Sequence, residues 1–220
     1  MARQARSEAT RRKIVASAVD LFNEMGYPAT GLGDIIERAE MTKGALYYHF
    51  ESKESLATAV IVESTATLTQ AFKTIAESSS APALENLIHG VFVVADLMRT
   101  DSIVRGGLQL LRTLGEFNDV AASTYAGWIA EMTARAHNAI EEGDLRDEIE
   151  PSALGETVLV AMLGAELLSN AMSSGADVLE RVARTWEVLL PAIVTDDSLA
   201  YFREFLKRES MRRAATTPAE

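Results

Sequence analysis

From residue 10 to residue 25 the apolar side chains of Ile14, Ala18, Leu21 and Phe22 recur three or four positions apart, and Gly26 follows them, so the spacing predicts a helix that stops there. Leu32, Ile35 and Ile36 repeat the pattern in a short second helix over about 32–39, with Thr30 placed to cap it. After Glu40-Met41-Thr42 a third short helix begins near Lys43 and carries Ala45, Leu46 and Phe50, and the polar ESKE segment then opens a long fourth helix over about 53–76. Beyond the break ESSSAP, helical runs cover roughly 82–99, 102–114, 119–142, 151–173, 176–194 and 196–213. Pro82, Pro151, Gly175 and the acidic turns punctuate them, and the terminal AATTPAE is expected to fray. No useful stretch alternates with a period of two and no internal repeat stands out. The pattern predicts an all-α fold of about ten helices.

Composition narrows the chemistry. At 220 residues the chain exceeds the usual single domain, and 48% hydrophobic with 24% charged residues is ordinary for a globular protein. The absence of cysteine excludes disulfides, thiolate metal ligands and cysteine nucleophiles. The N-terminus lacks the apolar core and cleavage site of a secretory signal, and the apolar runs at 91–95 and 158–165 are too short to span a bilayer. A soluble, cytoplasmic protein without membrane partners is the expectation. The net charge of −11 is unevenly spread: residues 1–56 carry 8 basic and 8 acidic side chains, so the remainder supplies the whole excess. Within the first 13 residues Arg3, Arg6, Arg11, Arg12 and Lys13 face only Glu8, a cationic arm suited to a polyanion.

Two short helices joined by a tight turn can form a helix-turn-helix, in which the second helix enters the DNA major groove. Here Leu32, Ile35, Ala45 and Leu46 can hold the helices together while Lys43, Tyr47 and Tyr48 point outward. Exposed tyrosines pack on sugars and thymine methyls and donate to phosphate. The segment TRRKIVASAVDLFNEMGYPATGLGDIIERAEMTKGALYYHFESKESL, residues 10–56, resembles the DNA-binding domain of the TetR family of bacterial transcriptional repressors. Several separated elements carry the resemblance: Ile14, Leu21-Phe22, Gly26-Tyr27, Thr30, Ile35, Gly44, Leu46-Tyr47, His49-Phe50 and Lys53-Glu54. One departure is Gly31-Leu32-Gly33, where the family more often has threonine or serine, which bears on one phosphate contact. The resemblance implies that Thr30 and Lys53 hold phosphates, that Thr42, Lys43, Gly44, Tyr47, Tyr48 and His49 lie along the groove-facing helix, and that Arg3 and Arg6 reach the minor groove or backbone. It divides the chain into a DNA-binding domain at 1–52 and a helical ligand-binding and dimerisation domain at 53–220.

In the body, Gly155, Ala161, Gly164 and Ala165 alternate with larger apolar residues, which permits close helix packing. By the resemblance, the last two major helices, placed at 151–173 and 176–194, form a four-helix bundle between two subunits, with Leu154, Val158, Ala161, Met162, Ala165, Leu168, Val182, Trp186 and Leu189 as the dimer face. The segments VRGGLQLLRTLG, YAGWIAEM and EEGDLRDEIEP resemble the γ-butyrolactone-receptor-like branch of the family in actinobacteria, where a tryptophan of the seventh helix sits against the lactone. Trp128 takes that place, with Phe92, Leu108, Leu111, Tyr125 and Met132 as pocket walls. Acyl thioesters, antibiotics and exported drugs are the alternative small hydrophobic effectors.

Catalytic constellations do not emerge. His49, His89 and His137 are scattered, there is no His-Glu-x-x-His, Gly-x-Ser-x-Gly or Gly-x-x-x-x-Gly-Lys motif, and the acidic run from Glu141 to Glu150 reads as a solvated turn rather than a metal site. No enzyme, cofactor or metal is expected. A helical adaptor that uses its C-terminal apolar stripes is the remaining competitor. The reading is a ligand-responsive repressor that binds a palindromic operator as a homodimer.

Overall fold

The computed structural model describes residues 2–78, 80–114 and 119–214, with side chains from Gln4 to Ile75, Ser80 to Leu114 and Val120 to Arg212. Among the described residues there are ten α-helices and no strand: α1 (Ala2–Met25), α2 (Leu32–Arg38), α3 (Lys43–His49), α4 (Lys53–Ser78), α5 (Ala83–Thr100), α6 (Ser102–Leu114), α7 (Asp119–Glu141), α8 (Pro151–Ser173), α9 (Val178–Ile193) and α10 (Asp196–Ala214). The all-α expectation therefore holds, with boundaries within a few residues except at one point. The cationic arm is not an extension: from Ala2 onward its backbone is the start of α1, which begins eight residues before the apolar pattern does.

The chain divides into two compact units, Met1–Leu68 with Asp101–Ala122, and Thr69–Thr100 with Ser123–Glu220. In the first, Ile14, Ala18 and Phe22 of α1, Ile35 of α2, Leu46 of α3 and Leu56, Val60 and Ile61 of α4 are all buried. Full burial of one such large apolar side chain stabilises by about 1.5–3 kcal/mol, so this small core is enough to fix the two short helices α2 and α3 against α1 and α4. Gly26, at φ +80°, turns the chain out of α1. Helix α6 packs against α1, and Asn23 Nδ2 donates to Ser102 O at 3.1 Å. It also meets α4, where Ser64 Oγ donates to Val104 O at 3.2 Å. At Gly107 an added Cβ would lie 2.2 Å from Ser64 Cβ, so only glycine permits this approach.

In the second unit α9 packs against α5, α8 and α10. Its core includes Leu84, Leu87, Ile88, Phe92, Trp186, Leu190 and Phe202. The acidic run between α7 and α8 is built in rather than merely solvated. Glu142 accepts from Ala83 N at the start of α5 (2.7 Å), Asp144 accepts from the Ser198 hydroxyl (2.8 Å), and Glu150 caps α8 by accepting from Ala153 N (2.6 Å). These carboxylates meet helix N-termini, where orphan amides and the helix dipole favour anions. Among the described residues no group of three His, Cys, Asp or Glu side chains is arranged to hold a metal. Contrary to the expectation from uninterrupted apolar runs, α8 as a whole is long and apolar enough by composition to cross a membrane.

Candidate nucleic-acid interface

Helix α3 owes its position to one cap and one anchor. Thr42 Oγ1 accepts from Ala45 N at 3.1 Å, satisfying an orphan donor of the first turn, and Leu46 is fully buried against the rest of the unit. Helical periodicity then turns positions 43, 44, 47 and 48 away from the core. Lys43 and Gly44 are exposed, Tyr47 is 45% exposed and Tyr48 77% exposed. The Lys43 ammonium lies 5.8 Å from the Tyr47 ring centroid, and the half-buried His49 ring meets the edge of Tyr48 with centroids 4.9 Å apart. Thr42, Lys43, Gly44, Tyr47, Tyr48 and His49 thus come together on one short helix, as the sequence suggested.

Beside them runs a cleft of about 630 Å³ whose other wall is α1: Gln4, Arg6, Ser7 and Thr10 face Ala45, Tyr48 and His49. The helical first turns, not a flexible arm, thus carry Arg6 alongside α3. The Arg3 side chain lies outside those described. Gln4, Ser7 and Thr10 carry no charge and so fall outside the cationic pattern; their i, i+3 spacing along a helix was the available signal.

Two expected phosphate ligands are placed differently. Thr30 is 1% exposed, and its hydroxyl donates to Gly26 O at 2.9 Å with Leu21 O at 3.3 Å as a second acceptor. It closes the end of α1 and has no access to a phosphate. Nor does it cap α2: the N-cap is Gly31, whose N–H donates to Asp34 Oδ2 at 2.8 Å. Lys53 Nζ donates to Tyr27 O at 2.9 Å and Thr30 O at 3.0 Å and sits over the Tyr27 ring. Burial, reinforced by the Glu54 charge, raises the Tyr27 phenol above its ordinary pKa, so that ring stays neutral.

The expected effector residues are drawn from both units. Leu108 and Leu111 belong to the first unit, whereas Phe92, Tyr125, Trp128 and Met132 belong to the second. Phe92, Leu108, Leu111 and Met132 are core residues. Trp128 is half-buried, stands edge-on to Tyr125 with centroids 5.8 Å apart, and donates its indole N–H to Thr69 Oγ1 at 3.3 Å. The donor assigned to a ligand carbonyl is therefore already used within the protein.

The expected dimer face needs a larger correction. Leu154, Val158, Met162, Ala165, Val182 and Trp186 are buried within the single chain. Val158, Ala161, Met162, Val182, Trp186 and Leu189 close with Val91 of α5 around a crevice of about 10 Å³, room for about one water. Only Leu168, 50% exposed, lies on the outer side. That side instead presents Val160, Leu167, Leu168 and Met172 of α8 and Val188 of α9, with Met172 at 71% and Val188 at 76% exposure. Gly164 lies on the same stripe, and a Cβ there would meet nothing within 4 Å. At the α8–α9 turn Asp177 is held far below the usual carboxylate pKa by Arg181 and by the hydroxyls of Ser169 and Ser173, which fixes the two helices together.

The chain is similar to known proteins over most of its length. The profile of bacterial regulatory proteins of the tetR family matches residues 14–60, and that of a tetracyclin repressor-like C-terminal domain matches residues 81–195. The A-factor receptor protein of Streptomyces griseus is 32% identical over 203 residues, which cover 92% of this chain and 70% of that protein. A solved γ-butyrolactone receptor, described as ArpA-like, superposes with a TM-score of 0.81 at 28% identity, over 94% of this chain and 99% of its own. CprB from Streptomyces coelicolor, solved in complex with its biological operator sequence, superposes with a TM-score of 0.76 at 26% identity, over 92% of this chain and 98% of its own.

Proposed function

The chain belongs to the TetR family of bacterial regulatory proteins, a family of transcriptional regulators rather than enzymes, and from that premise we propose that it is a cytoplasmic, ligand-responsive repressor. A homodimer holds a palindromic operator through α3 and lets it go when a small hydrophobic effector of the γ-butyrolactone class occupies the helical body. The observation that carries the reading is the pairing of exposed Lys43 and Tyr48 on a capped helix with the α1 cleft beside it. Residues 1–52 are the DNA-binding domain and 53–220 the body. Contacts come from Arg3, Arg6, Thr42, Lys43, Gly44, Tyr47, Tyr48 and His49, with Lys43 and the tyrosines at base edges and the α1 residues on the backbone. The assay is fluorescence anisotropy against the gene's own upstream DNA, with a shuffled duplex as control and salt varied. Tight, sequence-dependent binding is expected; weak binding equal for both duplexes and lost steeply with salt would leave only the basic first turns acting.

Dimerisation uses the outer stripe of α8 with Val188 rather than the buried stripe. This explains why α8 is apolar on both sides: one packs inside the chain, the other against a second copy. In such a dimer the two α3 helices read half-sites about 34 Å apart, one turn of DNA. Val188→Asp leaves the monomer core untouched but buries two like charges at the axis. Sedimentation should show a monomer of unchanged helix content with operator binding lost; a persistent dimer would move the interface elsewhere.

For the effector, similarity to the A-factor receptor and to γ-butyrolactone receptors supports the ligand class. Within the second unit Phe92, Tyr125, Trp128 and Met132 are the proposed walls. The chain has two tryptophans, and Trp186 is 1% exposed. In a Trp186→Phe variant, added γ-butyrolactone should therefore shift Trp128 emission and release the operator together. Indifference of both signals would sink this choice of ligand. Release requires that the ligand favour a state in which the two heads are mis-spaced. Helix α4 is the proposed lever, since its residues up to Leu68 belong to the first unit and those from Thr69 to the second.

A further inference from the structure

Three main-chain carbonyls of the segment joining α1 to α2 converge on one ammonium group. Lys53, the first residue of α4, donates from Nζ to Tyr27 O at 2.9 Å and Thr30 O at 3.0 Å, with Pro28 O at 3.5 Å, and lies 4.3 Å from the Tyr27 ring centroid. An ammonium has three donors and no acceptor. Here they point into the protein, and the negative face of a neutral phenol covers part of the remaining charge. Charge-assisted bonds of this kind are about twice as strong as neutral ones, so a phosphate would have to displace a set already made.

We infer that Lys53 is a positioning residue for operator binding: it pins the first turn of α4 to the α1–α2 connection and so fixes α2 and α3 over the groove, without neutralising a phosphate. The chain of support is short. The connection starts at left-handed Gly26 and is closed by the buried Thr30 hydroxyl. It feeds directly into α2, whose Ile35 shares the core with Leu46 of α3. The inference rests on the repressor reading above, and it adds a role for α4: the ammonium ties the head to the helix proposed to move it.

A phosphate contact and a pin differ in their salt dependence. Each lysine that neutralises a phosphate contributes about 0.9 to the slope of log Kobs against log salt, so a dimer losing two such contacts shows a slope smaller by about two. Lys53→Met is expected to weaken operator binding by about tenfold or more through loss of charge-assisted bonds, with the slope unchanged. Lys53→Arg keeps the charge, but its planar fork cannot aim three donors at converging carbonyls, so it stays weakened; a phosphate contact would be restored by arginine. Arg6→Ala, run alongside, should reduce the slope, since Arg6 is placed on the DNA backbone. A slope reduced by about two in Lys53→Met, or wild-type affinity in Lys53→Arg, overturns the inference. A second measurement uses the free protein. The Thr30 amide, bonded to Gly26 O at 3.3 Å, should exchange its hydrogen faster in Lys53→Met, and unchanged protection also overturns the pin. This readout needs no DNA, so failure of the repressor reading and failure of the pin are told apart.

Discussion

Replacing Lys43 and Tyr48 together by alanine is expected to abolish operator binding while helix content and dimerisation stay as they are. Neither side chain supports the core: Tyr48 is 77% exposed, Lys43 is exposed, and Leu46 alone anchors the middle of α3. Alanine is the best helix former, so the helix itself loses nothing by propensity. A specific base or phosphate contact is worth about 1–3 kcal/mol, and each is lost twice in a dimer, so the combined loss is about a thousandfold or more. The check is anisotropy beside far-ultraviolet circular dichroism. Binding within tenfold of wild type would remove α3 as the reading element and restore the adaptor hypothesis. Leu46→Ala is the contrasting change: it empties a buried site, at a cost of about 2–5 kcal/mol, so its loss of binding would come with loss of structure.

The second large effect is expected inside the first unit. Gly107→Ala puts a methyl 2.2 Å from Ser64 Cβ, 2.5 Å from Ser64 Oγ and 3.2 Å from Val60 O. Two terms oppose each other. Alanine in a helix gains about 1 kcal/mol over glycine, while an overpacked core loses about 1–3 kcal/mol and occasionally more. The overpacking term wins because Ser64 Cβ is bonded to the α4 backbone and cannot swing aside as the end of a long side chain would. Relief requires α6 to move off α4, which also breaks the bond from Ser64 Oγ to Val104 O. Thermal unfolding of Gly107→Ala should fall by several degrees, and Gly107→Val should fall further. Ser64→Gly removes the offending atom, so in that background Gly107→Ala should be tolerated, and the two changes should be far from additive. A Gly107→Ala protein as stable as wild type would show that the helices have slack at this crossing.

What the sequence could and could not reveal follows from how each element is specified. Helices α2 and α3 were legible because their apolar residues fall on one side and the polar ones on the other, so the sequence alone names Lys43 and Tyr48 as outward-facing. Helix α8 was legible as a helix but not in its orientation. Apolar residues surround it, and periodicity cannot tell Val158 and Met162, which face inward, from Val160 and Met172, which face out. Small residues drew attention to the wrong stripe, although Gly164 does mark the outer one. Thr30 was misread for another reason: a threonine between two helices can cap forward or bond backward, and only the path of the chain through Gly26 decides. The indole of Trp128 has the same ambiguity, since its partner Thr69 is 59 residues away. The start of α1 was missed because its first two turns bury little and leave no apolar rhythm to follow.

Those two turns alter the thermodynamics of approach to DNA. A disordered basic tail surrenders its conformational freedom when it lies down on a phosphate chain, and that loss is subtracted from whatever its charges gain. Here Gln4 and Arg6 belong to a helix that continues into the folded unit, so their backbone entropy has been given up during folding. Their spacing from Tyr48 is also set by a rigid rod. On the proposed repressor reading, α1 and α3 therefore meet the operator with their spacing already set.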